Sequence, residues 1–224
     1  MKQLTLPFVD EQSYAAEDFC PAPSNAAARE LLLHPENWSN FRLILWGEPG
    51  CGKTHLLHIW AQAHGAEIIE SAHLQGLRRV QTPVAVDDAD LAPDPVALLH
   101  LLNNAAEAGQ PLLLAARLPP ARMAYKLADL TSRLRASSAV EIRTPEDELL
   151  EQLLTRLAAQ RQLQLSIPVR NVLLLYLPRE PAFYREAVAR LDHAGLDRAG
   201  FDRGKKITRA LALEIVSGLI KDEH

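Results

Sequence analysis

Apolar residues follow two rhythms along this chain. Up to about residue 144, short apolar runs bounded by Gly, Pro or charged residues alternate with stretches whose apolar positions recur every three or four residues. The runs Leu43–Trp46, Glu67–Glu70, the stretch Thr82–Asp90 with a buried strand ending in adjacent carboxylates, Pro111–Ala116 and Val140–Ile142 predict strands. Between them, Ser24 is placed to cap a helix that runs to about His34 and stops at Pro35. Leu56, Ile59, Trp60 and Ala63 mark a second helix ended by Gly65. Pro95–Ala108 is a third, closed by Gly109, and Tyr125, Leu127 and Leu130 lead a fourth into Thr131–Leu134. Strands alternating with helices predict an α/β fold with a doubly wound parallel sheet. Beyond 144 the rhythm is helical only, at about 145–161, 167–177, 180–194 and 208–220. Thr144 is placed to cap the first of these, with Pro145 at the first helical position and Glu146-Asp147 at its positive end. The expected organisation is an extended arm over 1–13, an α/β core over 14–144 and a small helical lid over 145–224.

Composition changes this picture little. The chain has 224 residues, 48% hydrophobic and 23% charged, which is ordinary for a globular protein able to bury a sizeable core. Its net charge of −4 argues against a broad DNA-binding face, and neither part is a basic module, so any nucleic acid is expected to be held by a partner. The two cysteines, Cys20 and Cys51, build no disulfide framework and suit a reducing, cytoplasmic setting. No apolar run approaches membrane-spanning length, and Pro7 interrupts the few apolar residues after Met1-Lys2, so neither a membrane span nor a signal peptide is expected.

Candidate chemistry centres on the turn after the first strand. Gly47, Gly50, Gly52, Lys53 and Thr54 fit G-x-x-x-x-G-K-[ST], a phosphate-binding loop between a strand and a helix. Glycines let backbone N–H groups turn inward around phosphate oxygens, and the following helix presents its positive end to the same anion. Lys53 is the residue type that reaches β- and γ-phosphates, and the Thr54 hydroxyl is the one that holds Mg²⁺. Glu48, Pro49, Cys51 and His55 complete the expected nucleotide-binding segment. The third predicted strand ends in Asp87-Asp88-Ala-Asp90. In a P-loop fold a strand-end Asp holds Mg²⁺ through water, the role assigned to Asp87, and the next carboxylate orients or deprotonates the attacking water, the role assigned to Asp88. Without the upstream loop the same residues would read as a solvated acidic turn. His55, His58 and His64 share one helix but lack further ligands at metal-binding spacing, and are read as packing or surface residues. The arm, Gln3-Leu-Thr-Leu-Pro-Phe8, carries apolar residues that need burial either on the protein's own body or in a partner's pocket.

Together the phosphate loop, the Asp-Asp strand end, a Ser-Arg motif after a further strand and a helical lid resemble the AAA+ ATPases. Asp18-Phe19, Ser24-Asn-Ala-Ala27, Gly47–Leu57, Val86-Asp-Asp88, Leu118-Pro-Pro120 and Ser132-Arg-Leu134 are similar to the DnaA family of replication initiators, over about residues 14–220. This resemblance implies a P-loop NTPase (AAA+) core that binds ADP or ATP with Mg²⁺, with ADP expected as the retained form. It also implies that Arg133 points out of its own core toward a neighbouring subunit's nucleotide, as a trans-acting arginine finger; otherwise it is an ordinary surface arginine like Arg135. Ala182 falls where the family aims a lid arginine at the phosphates, with Arg179 and Arg185 one helical turn to either side; Arg179 is counted among the nucleotide contacts. The end of the Pro111–Ala116 strand, where a polar residue commonly helps position water, is Ala115-Ala116-Arg117 here, so weak or no ATPase activity of its own is expected.

Three departures narrow the resemblance. No helix-turn-helix region follows the lid, Ser71–Gln81 is too short for the initiators' helical insertion, and only a short arm precedes the core. Gln3, Leu4, Leu6, Pro7 and Phe8 resemble the sliding-clamp-binding peptide of DnaA-related regulators. The implied partners are DnaA and the DNA polymerase III sliding clamp (beta subunit), with DNA met only through them, no membrane, and a homo-oligomer compatible with the fold. The implied function is regulation of replication initiation, with clamp-docked protein stimulating ATP hydrolysis by DnaA. The alternatives are a self-hydrolysing AAA+ ATPase, such as a helicase loader of the DnaC type, and a purely tethering adaptor.

Overall fold

The structure, a computed structural model, describes residues 14–199 and 207–221. The predicted arm with Gln3, Leu4, Leu6, Pro7 and Phe8 lies outside the described residues. Five strands, β1 (Arg42–Trp46), β2 (Glu67–Glu70), β3 (Val84–Asp87), β4 (Leu112–Ala116) and β5 (Ser138–Glu141), form one parallel sheet in the order β2-β3-β4-β1-β5. Helices α1 (Ala26–Leu32), α2 (Lys53–His64), α3 (Pro95–Glu107) and α4 (Ala128–Arg135) cover it. Helices α5 (Asp147–Gln160), α6 (Ile167–Tyr176), α7 (Pro181–Ala199) and α8 (Arg209–Lys221) follow.

The central strands β1, β3 and β4 are apolar at successive positions because both faces of the sheet are covered there. Side chains alternate across a strand. Leu43, Leu45, Ala85, Leu113 and Ala115 therefore join one cluster with Leu56, Leu57 and Trp60 of α2 and Ala28 of α1. Ile44, Val84, Val86, Leu112 and Leu114 face the opposite way, into a cluster with Leu98 and Leu101 of α3 and Leu130 and Leu134 of α4. A third cluster belongs to the later helices: Leu150, Leu153 and Leu154 of α5 meet Val172, Tyr184, Leu191, Ile215 and Leu219. Cys20 and Ala22 pack into this cluster, so the segment before α1 lies against the later helices. Among the described residues no helix is long and apolar enough to cross a membrane.

Three local expectations are corrected. Ser24 does not cap α1, which begins at Ala26 after Asn25 and ends at Leu32 rather than His34. Ser24 instead bridges distant segments: its carbonyl accepts from the Arg143 N–H at 3.1 Å and its N–H donates to Glu146 at 3.5 Å. Asn25 is spent on the preceding loop, accepting from the Ala22 N–H at 3.1 Å and donating to the Cys20 carbonyl at 3.0 Å. Thr144 does not cap α5, which starts at Asp147 behind Glu146; the Pro145 carbonyl is used tertiarily, by Arg179 at 3.0 Å. Tyr125 precedes α4 rather than belonging to it, and its hydroxyl donates to the Ala89 carbonyl as a strut between loops.

Candidate nucleotide site

The end of β1 opens directly into the phosphate loop, and its geometry requires glycine. A Cβ at Gly47 would overlap the carbonyl oxygen of Ile142, on the segment leaving β5. Gly52 stands immediately before α2 with φ of 103°, a left-handed conformation that side chains resist. Lys53 is buried, and its Nζ donates to the carbonyls of Gly47 and Glu48, each at 2.8 Å. The lysine thus closes the loop on itself, with its charge held beneath the turn.

A cleft of about 260 Å³ lies against this loop. Gly50 to His55 form one wall, Tyr14, Asp18, Phe19 and Cys20 a second, and Pro145, Leu149, Ala182 and Arg185 a third. Pro49 and Glu48 lie at the exposed tip of the loop. His55 is buried against Tyr14 and Phe19, with a ring nitrogen 3.0 Å from the Ala15 carbonyl; burial pulls its pKa down. His58 stacks on Tyr14 at 4.0 Å between ring centroids, and His64 packs beside Trp60 at 5.0 Å. The wall before α1 is tied to α5: Arg156 donates to the Glu17 carbonyl at 2.7 Å and the Phe19 carbonyl at 3.3 Å, and Gln160 donates to Asp18 at 3.0 Å.

Arg179 and Arg185 have different surroundings. Arg179 does not itself line the cleft; it donates to the carbonyl of Pro145, a wall residue, and to the Asp147 carboxylate. Arg185 lines the cleft, and its charge is felt by Tyr14, Cys20 and His55. Sequence reasoning weighed Arg185 only as a substitute, and it missed Tyr14, Cys20 and Asn25 as lining residues. The cleft fits an anionic ligand beside Lys53 and Arg185, with an apolar body against Phe19, Leu149 and Leu153.

The acidic pair sits at the end of β3, separated from β1 by β4, which sets it about 10 Å sideways at two strand spacings. Asp87 accepts from the Asp88 N–H at 3.0 Å, and its charge acts on His58, one turn beyond Thr54 on α2. Thr54 lines the cleft, whereas Asp87 and Asp88 are not among its lining residues. Asp88 adopts a left-handed conformation, φ 50°, and its carboxylate lies 3.6 Å from Arg117 Nε at the end of β4. Arg133 is elsewhere. It lies in the last turn of α4, 41% exposed and ion-paired with Asp129 at 3.2 Å, and does not line the cleft.

No protein-family model matches the chain. An uncharacterized protein of Haemophilus influenzae is 29% identical over 213 residues, covering 87% of this chain and 92% of that protein. Domain III of the replication initiation protein DnaA from Thermotoga maritima superposes with a TM-score of 0.75 at 19% identity, over 93% of this chain and 97% of that domain. AMPPCP-bound DnaA from Aquifex aeolicus gives 0.68 at 17% identity, over 94% and 70%. The RuvB Holliday junction branch migration motor of Thermotoga maritima gives 0.63 at 18% identity, over 88% and 70%. At these identities the likeness is one of fold: a DnaA-like AAA+ P-loop NTPase fold, with a five-stranded parallel sheet and helical segments.

Proposed function

We propose that this chain is a nucleotide-bound regulator of replication initiation of the Hda type. It holds an adenine nucleotide, ADP in its resting form, with Mg²⁺ at Gly47–Thr54, docks on the sliding clamp through Gln3–Phe8, and offers Arg133 to ATP-bound DnaA. DnaA then hydrolyses its ATP, because a guanidinium supplied in trans stabilises charge on the transferring phosphoryl group. The observation that carries the reading is the contrast between the two ends of the machinery. Asp88 is engaged by Arg117 of its own chain, whereas Arg133 stands half-exposed on α4, away from its own cleft. A phosphate loop whose neighbouring strand-end carboxylate, Asp88, lies outside the lining of the cleft and is paired with Arg117 suits retention over turnover. The clamp contact rests on the arm's sequence alone.

The test is hydrolysis of DnaA-bound ATP in the presence of clamp-loaded DNA. Wild-type protein should accelerate it, and Arg133→Ala should lose the stimulation while still binding nucleotide. An Arg133→Ala protein as active as wild type would end the trans-arginine reading. Rapid ATP turnover by the isolated protein would favour the self-hydrolysing alternative.

A further inference from the structure

Arg42, the first residue of β1, is 4% exposed. Among the described residues its Nε and Nη1 have no hydrogen-bond partner. A buried guanidinium with no counter-ion among the described residues is among the costlier things a fold can keep. Its place in the sheet says where the charge points. Arg42 shares a strand face with Ile44, which packs with Leu130 and Leu134 of α4, while Leu43 and Leu45 face the other way. The side chain therefore lies on the α4 side of the sheet, where Arg133 occupies the last turn. Burial first, and the Arg133 charge second, lower the pKa of Arg42. The backbone before it is also constrained: Asn40 and Phe41 both adopt left-handed conformations, φ 52° and 58°, which non-glycine residues disfavour. Such strain is commonly retained at functional sites.

We propose that Arg42 is the supporting cation of the trans-acting centre: an uncompensated positive charge buried behind Arg133, balanced only when the polyphosphate of a nucleotide held by another subunit docks there. The proposal rests on the trans-arginine reading of Arg133. Arg42 acts through Arg133 and is a positioning residue. Its like charge weakens the hold of Asp129 on Arg133 and adds to the field met by the incoming phosphates.

The same assay tests it, with clamp-loaded DNA and ATP-bound DnaA, using Arg42→Met, Arg42→Gln, Arg42→Lys and Arg133→Ala, each melted in parallel. The neutral variants should melt at or above the wild-type temperature, since they remove an unpaired buried charge. They should stimulate hydrolysis about tenfold less, the effect of one unit charge at roughly 10 Å in a medium of effective dielectric about 20. Arg42→Lys, which keeps the charge, should restore most of the stimulation. Loss in Arg133→Ala with full activity in the neutral Arg42 variants overturns this inference and leaves the proposed function standing. No loss in Arg133→Ala removes the proposed function itself. Neutral variants that melt well below wild type, or Arg42→Lys as inactive as Arg42→Met, also overturn it, because Arg42 would then serve as a structural side chain.

Discussion

Replacing Arg185 and Arg179 one at a time by Met separates the two candidate lid arginines by their surroundings. Both lie three residues from Ala182 in sequence, Arg179 in the loop before α7 and Arg185 on α7, but only Arg185 lines the cleft beside Gly50 to His55. A charge-assisted hydrogen bond is worth about 1.5–3 kcal/mol, so losing an arginine contact to a phosphate raises the nucleotide Kd about 10- to 150-fold. Arg179 is half exposed and committed to Pro145 and Asp147. Breaking an exposed pair of that kind costs about 0–1 kcal/mol of stability, and the Kd should stay within about threefold of wild type. Titration of a fluorescent ADP analogue into each variant measures the affinities, and thermal melting without nucleotide measures the stability term. Arg185→Met should bind weakly yet melt normally, while Arg179→Met should bind normally and melt slightly lower. The reverse ranking, or Arg185→Met binding within twofold of wild type, would refute the assignment of Arg185 to the cleft's ligand.

Two further expectations concern stability. The Tyr184 hydroxyl is fully buried among the lid helices with no hydrogen-bond partner among the described residues, so Tyr184→Phe should gain about 1 kcal/mol. In a chain of this size that raises the Tm by about 2–4 °C, and a clear fall on calorimetry would show a hidden partner. His55 is held neutral by burial, its folded pKa below the unfolded value of about 6.5. The unfolded chain then binds the proton more readily, so stability should fall as pH drops below about 6.5 and level off beneath the folded pKa. Melting between pH 7 and 5 should show that slope, and His55→Asn should flatten it; an unchanged slope would place the titration elsewhere.

The central strands β1, β3 and β4 were legible as apolar runs, and β2 coincides with its predicted bounds, Glu67–Glu70. Strand β5, expected over Val140–Ile142, spans Ser138–Glu141, because an edge strand carries a weaker apolar signal. Two helix ends that carry a local signal were legible too: Gly65 closes α2 with φ of 60°, and Gly109 follows α3 with φ of 62°. The Asp94 cap, which accepts from the N–H groups of Val96 and Ala97 at 3.0 Å, was not read. Ser24 and Thr144 failed as caps because a hydroxyl before a helix is only a local preference, and here the junction between the α1 loop and α5 uses that backbone for long-range bonds. Strand order was not readable, since Leu112–Ala116 is equally apolar wherever it inserts; its place between β1 and β3 emerges only from packing. The phosphate loop was readable because its contacts are consecutive. Tyr14 and Arg185 were not, because they reach the cleft from opposite ends of the chain.

The bonds from Arg156 and Gln160 to residues 17–19 have a mechanical consequence. They fasten the strip of chain just after the arm to α5, and Tyr14, at the start of that strip, rests on the P-loop helix through His58. A load applied upstream of Tyr14 is thus delivered to the wall of the nucleotide cleft. Under the proposed function, clamp docking by Gln3–Phe8 and retention of nucleotide would share one short lever, and shortening or lengthening the chain between Phe8 and Tyr14 should alter both together, as clamp pull-down and nucleotide titration would read.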